Sequence, residues 1–162
     1  MVGLHPMCSA LAPLLGTWRG AGAGSYPTID DFAYTEELVF DHAGKPFLSM
    51  VQRSRDRTTG EPLHAEAGYL RALGDGAVEL TVAQPSGIVE VDAGSVTETL
   101  DGLIVELESV QVALTPTAKS VTAVRRRLSL AGSTLVSELW MAAVGEAELI
   151  HHVRAELSQE PT

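Results

Sequence analysis

Turn signals punctuate this sequence at the spacing of an all-β chain, roughly every 8–12 residues. They include Asp41-His42-Ala43-Gly44, Asp56-Arg57-Thr58-Thr59-Gly60, Gly74-Asp75-Gly76, Gln84-Pro85-Ser86-Gly87, Asp101-Gly102 and Ala131-Gly132-Ser133. Between them, short runs cover 33–40, 46–53, 62–72, 77–83, 88–93, 94–100, 103–109, 120–129, 135–143 and 148–157. Several of these runs, 77–83 most clearly, alternate apolar and polar residues. Period two is the signature of an extended strand with one buried face. No second amphipathic helix of any length interrupts the series, which argues for an antiparallel meander. About ten consecutive strands either stack as a sandwich or close on themselves, and closure removes the exposed edges. A barrel of more than about eight strands keeps an interior wide enough for a ligand. The expected fold is therefore all-β: an up-and-down β-barrel of about ten strands with a cavity, preceded by a short helix. That helix falls in residues 7–15, with Ser9 as N-cap, Leu11, Leu14 and Leu15 as its apolar side, and Pro13 keeping it short. It is expected to lie across one end of the barrel.

The stretch Gly16-Thr17-Trp18-Arg19-Gly20-Ala21-Gly22 follows. Alternation puts Gly16, Trp18, Gly20 and Gly22 on one face of a strand. Glycines repeated on one face mark a bend or a close backbone approach. One indole among them suits a first barrel strand whose Trp18 plugs one end; the other reading is a Gly-rich loop around a buried Trp. No GxxxxGK[ST] phosphate loop is present.

Composition narrows the function classes. The 162 residues, 45% hydrophobic and 20% charged, suffice for one domain with a proper core. A formal net charge of −10 opposes a polyanion, so no nucleic-acid partner is expected. The run Arg125-Arg126-Arg127 alternates faces in a strand and reads as a solvated edge plus one inward or paired arginine. No apolar run nears the ~18–20 residues of a membrane helix, so no membrane association is expected. Residues 1–15 lack Lys and Arg and carry Pro6 and Pro13, which argues against a secretory signal. Cys8 has no partner for a disulfide, and a cytoplasmic setting is expected.

Five histidines offer the chemistry: His5, His42, His64, His151 and His152. His5 and His42 read as exposed. His64 reads as a core or rim residue in its strand. His151 and His152 open the last strand, and as neighbours they point to opposite faces, so regular geometry lets only one look inward. No HExxH, zinc-type Cys spacing or GxSxG occurs. The residues alone lead to a ligand-binding barrel of unspecified ligand.

Several phrases in order add more: GxWxGxG, Tyr26-Pro27-Thr28 with Phe32 and Tyr34-Thr35-Glu36-Glu37, and Gly44-Lys45-Pro46. Then come residues 62–71 (PLHAEAGYLR), 83–91 (AQPSGIVEV), Pro116-Thr117-Ala118-Lys119, Met141-Ala142 and His151-His152-Val153. Together they resemble the nitrobindin family over nearly the whole chain, one domain of residues 1–162. The resemblance implies a barrel related to fatty-acid-binding and lipocalin-like proteins that binds one haem b per chain. It implies a ferric iron that binds nitric oxide and isomerises peroxynitrite to nitrate, and a homodimer. His152 matches the family's axial ligand; Leu63, His64, Gln84 and Met141 match cavity residues, and Thr28 matches a haem-contacting threonine. Lys119 is added as a partner for a haem propionate. Strict alternation instead groups His151 with the apolar Leu149, Val153, Ala155 and Leu157. A bulge near His151, or an outer face covered by another subunit, would reconcile the two. The competing function is a non-catalytic carrier of a fatty acid or another small apolar ligand.

Overall fold

A computed structural model describes residues 2–161. Ten antiparallel strands follow one 3₁₀ helix, Pro6–Leu14. They are β1 (Gly16–Tyr26), β2 (Ile29–His42), β3 (Phe47–Asp56), β4 (Pro62–Gly74) and β5 (Ala77–Ala83), then β6 (Ile88–Glu98), β7 (Gly102–Leu114), β8 (Val121–Ala131), β9 (Thr134–Ala143) and β10 (Ile150–Gln159). Each strand pairs with its neighbours in sequence, and β1 pairs with β10, so the sheet closes into a barrel as expected. No helix among the described residues is long and apolar enough to cross a membrane.

Two local expectations are corrected. The segments 88–93 and 94–100 are one strand, β6, running through Gly94. A Cβ at Gly94 would overlap the Glu106 carbonyl of β7, so this glycine permits close strand approach and does not mark a turn. The N-terminal helix is capped by His5, whose Nδ1 accepts from the Met7 amide at 3.3 Å. Ser9 instead donates from Oγ to the Pro6 carbonyl inside the helix. Pro6 suits the first helical position, where its missing N–H would have had no partner anyway.

The helix buries Cys8, Leu11 and Leu14 against the end of the barrel where Trp18 points inward. Trp18 is 1% exposed, and its Nε1–H donates to the Leu14 carbonyl at 2.8 Å, tying helix to barrel. Gly16, at φ 116°, sits in the left-handed region that favours glycine and turns the chain from helix to strand. Gly20 has room for no side chain, because its Cβ would strike the Glu156 carbonyl of β10. Gly22 and Gly24 leave space that the Tyr34 and Phe32 rings of β2 fill, each ring lying over the glycine paired with it. Trp18→Ala should therefore destabilise the protein by about 3–5 kcal/mol, since it empties the plug and strips the Leu14 carbonyl. Denaturant unfolding checks this; a variant as stable as the parent would contradict the plug.

Candidate functional site

The end opposite the helix is open, and from it a cavity of about 680 Å³ runs into the barrel. The site depends on two irregularities in the ladders. The β9–β10 register slips between His151 and Val153, so His152 has no residue opposite it on β9. The β1–β2 register slips between Gly24 and Tyr26, around Ser25. The β1–β10 ladder stops at Gly24↔Val153, one residue short of both. The bulge restores the apolar face to Val153, Ala155 and Leu157 while letting His152 also line the cavity. It removes the conflict between alternation and the position implied by resemblance. His151 stays outside, edge-on to Trp140 at 4.9 Å, with Nε2 3.3 Å from Glu138 Oε1.

The His152 ring is fixed on three sides. Its Nδ1 lies 3.0 Å from the Ser25 carbonyl oxygen. A carbonyl only accepts, so Nδ1 carries the proton and, in the neutral ring, Nε2 keeps its lone pair. Burial, aided by His64 and His151 and opposed by the Ser25 contact, pushes the His152 pKa down and so favours the neutral ring. Tyr26 meets it edge-on at 5.4 Å, and Phe32 lies tilted against it at 5.9 Å. The Tyr26 hydroxyl accepts from the Ala143 amide at 2.9 Å and reaches the Met141 carbonyl at 3.1 Å, pinning the β1–β2 turn to β9.

Leu63, His64, Gln84, Lys119 and Met141 line the same cavity as His152. Thr28 does not: it is exposed at the tip of the β1–β2 turn, and the neighbouring Ile29 reaches the cavity instead. His64 Nε2 faces Glu66 Oε2 at 3.4 Å. Gln84 donates from Nε2 to Glu90 Oε1 at 2.6 Å and accepts from Ser86 Oγ at 3.2 Å, so both ends of its amide are engaged.

Below these residues lies a buried charge cluster that alternation alone does not assemble. Arg126 is the inward member of the arginine run. Nη1 donates to Glu66 Oε1 at 2.5 Å and Nη2 to Glu66 Oε2 at 2.9 Å; Nε donates to Glu90 Oε2 at 3.0 Å and Nη2 to Glu90 Oε1 at 3.0 Å. Burial alone would raise Glu66, but the Arg126 guanidinium and His64 outweigh it and hold the carboxyl near about 2. Glu36 has no ion pair with Arg126, and Asp92 Oδ2 stands 3.6 Å from Arg126 Nε with neither carboxylate oxygen hydrogen-bonded. Burial, with Glu66 beside one and Glu90 beside the other, pushes each up to about 7. Alternation does signal these residues: Glu36 falls between Tyr34 and Leu38, Glu66 before Gly68 and Leu70, and Arg126 between Val124 and Leu128.

A family described as "THAP4-like, heme-binding beta-barrel domain" matches residues 7–159. The chain belongs to this family. The likeness to nitrobindins drawn from the sequence is thereby borne out. A protein of Mycobacterium ulcerans named peroxynitrite isomerase 2 is 52% identical over 159 residues, covering 97% of each chain. A peroxynitrite isomerase of Nocardia farcinica is 49% identical, covering 98% of this chain and 94% of its own. The crystal structure of Rv2717c from M. tuberculosis superposes with a TM-score of 0.94 at 46% identity, covering 98% of this chain and 100% of that one.

The residues present fit the haem this family binds. No three His, Cys, Asp or Glu side chains among the described residues converge as a metal-ion cluster. What the mouth offers is one imidazole, its tautomer fixed by a backbone carbonyl, beside apolar walls. That would suit a metal that brings its remaining ligands with it.

Proposed function

We propose that this chain holds a haem at the barrel mouth through His152 Nε2 and isomerises peroxynitrite to nitrate there. The observation that carries this reading is the bulge that turns His152 into the cavity with its Nδ1–H spent on Ser25. The shared name of relatives about half identical over nearly the whole chain supports it. Cys8 is the lone cysteine and is buried, so thioether attachment has no CxxCH to use and a b-type haem, one per chain, is proposed. When bound, a ferric haem supplies a cationic centre with an open coordination position that attracts small oxides of nitrogen, nitric oxide included.

The protein's own residues bind, orient and shield. Peroxynitrite and nitrate have the same atoms and charge, so no net proton need move. The task is to keep reacting fragments together until they recombine. Leu63, Met141 and Ile88 line the cavity with apolar surface that keeps water out. Lys119, at the rim, offers its ammonium to a propionate carboxylate. Thr28 can meet a bound group only from the rim, while His64 and Gln84, anchored below by Glu66 and Glu90, set the polarity of the wall. Cytoplasmic location and a homodimer belong to the same proposal, as the resemblance implies.

A fatty-acid carrier needs a free cation for the carboxylate head. Arg126 is already committed to Glu66 and Glu90, so the interior disfavours that reading. The test is product partition. Haem-loaded protein should raise nitrate yield and suppress nitration of an added phenol in proportion to bound haem, and cyanide should abolish both effects. Equal protection by the haem-free chain would overturn the proposal. Buried Cys8, its thiol pushed up by burial, gives little reason to expect that.

A further inference from the structure

Level with the charge cluster, where Gln52 of β3 pairs with Glu66 of β4, the cavity forms an inner chamber on the β2–β3 side. Its polar wall comes from the inward faces of β2 and β3, where Tyr34, Glu36 and Gln52 are 2%, 6% and 9% exposed. The register sets Leu38 opposite Gln52 and Glu36 opposite Ser54, so Glu36 and Gln52 are diagonal neighbours on one face. Beside the Glu36 carboxyl stand the Tyr34 hydroxyl and, on β3, Gln52. Gln52 Oε1, and the Tyr34 hydroxyl two residues before Glu36, are buried without a hydrogen-bond partner. Buried polar atoms are nearly always satisfied, so unpartnered ones facing a cavity ask for a ligand that fits them. The rest of the chamber is apolar, with Leu38, Met50, Leu107 and Leu128 on its wall.

Charge decides which ligand. Arg126 is the one cation at this depth among the cavity-lining residues described, and four of its N–H groups are bonded to Glu66 and Glu90. Glu36 therefore has a carboxyl with no cation of its own. We infer that the inner chamber is a binding site for a primary alkylammonium ion. Its three N–H donors match the Glu36 carboxylate, Gln52 Oε1 and the Tyr34 hydroxyl oxygen, and its short alkyl tail lies along Leu38, Met50, Leu107 and Leu128. A fatty carboxylate of the same length would meet Glu36 head-on. An alcohol would satisfy one acceptor and leave the charge bare. This site lies deeper than His152 and does not rest on the haem reading.

Protonation of Glu36 competes with the ammonium. Glu36 is raised to about 7 by burial and by Glu66, while Gln52, Arg126 and His64 pull it down. Affinity should rise with pH through about 7 and then level.

Two methionines report the site. Met50 lines the inner chamber, whereas Met141 lies at the mouth beside the β9–β10 turn. The experiment titrates hexylammonium chloride into the full chain labelled at the methionine methyls, haem-free and haem-loaded. The loaded form is kept as the ferrous carbonyl so that the iron is diamagnetic. A saturable shift of Met50 with Met141 unmoved is expected in both forms, and neither hexanoate nor hexanol should reproduce it. Glu36→Gln should weaken binding about tenfold or more, as expected for a charge-assisted contact. Tyr34→Phe, which keeps ring and charge, should weaken it several-fold and guards against a folding defect in the first variant. Any one of four results overturns the inference: no saturable Met50 shift, equal binding of hexanoate, a shift of Met141 alone, or binding only after haem removal.

Discussion

His152→Ala should lose its haem. Removing outer-sphere partners alone typically weakens metal sites about 10–100-fold, so loss of the axial nitrogen should cost at least about a hundredfold in affinity. The Soret band should fail to develop at haem concentrations that saturate the parent chain. His151→Ala should bind haem as the parent does, because that ring lies outside against Trp140 and Glu138. The pair separates the bulge from the alternation rule in one haem titration. Loss of haem in the His151 variant with retention in the His152 variant would mean that the other histidine faces the iron.

Arg126→Met should destabilise the protein by about 3–5 kcal/mol, as expected when one side of a buried ion network is removed. The loss should depend on pH in a defined direction. In the parent, Glu66 is held near about 2, below its ordinary value of 4.5. Its stabilising contribution is therefore present above that ordinary value and lost as pH falls through about 2. Without the guanidinium, burial pushes Glu66 up, and its ionised form is disfavoured at neutral pH. The variant should thus be hurt most near pH 8 and least near pH 5, where the carboxyls can take protons. Glu36 and Asp92 run the other way in the parent. Each is raised to about 7, so their contribution is full below the ordinary carboxylate pKa and lost as pH rises through about 7. Urea midpoints for parent and variant at the two pH values measure the difference; equal losses at both would contradict the network.

The fold was largely legible because strand period and turn residues are local signals. Asp75 and the glycines on either side of it mark a turn with no need of tertiary context. Gly94 misled because a glycine that admits a neighbouring strand looks, in sequence, like a glycine that ends one. His152 shows a different limit. A bulge adds one residue to the count, so alternation read backward from Leu157 selects His151, and resemblance supplied what periodicity could not. The Ser25 carbonyl and the Tyr26 hydroxyl were missed as supports, since their partners lie 127 and 117 residues away. The charge cluster was hidden for the same reason: Arg126 meets Glu90 and Glu66 across separations of 36 and 60 residues. An inward glutamate on one strand looks like an error until its partner on another is known.

The rate of peroxynitrite decay against haem content tests the account most directly. Parent protein reconstituted to graded occupancy should give a rate constant that rises linearly with bound haem from a near-zero intercept. His152→Ala, taken through the same haem treatment, should stay at that intercept. A rate that does not follow haem content, or a His152→Ala chain as active as the parent, would contradict it.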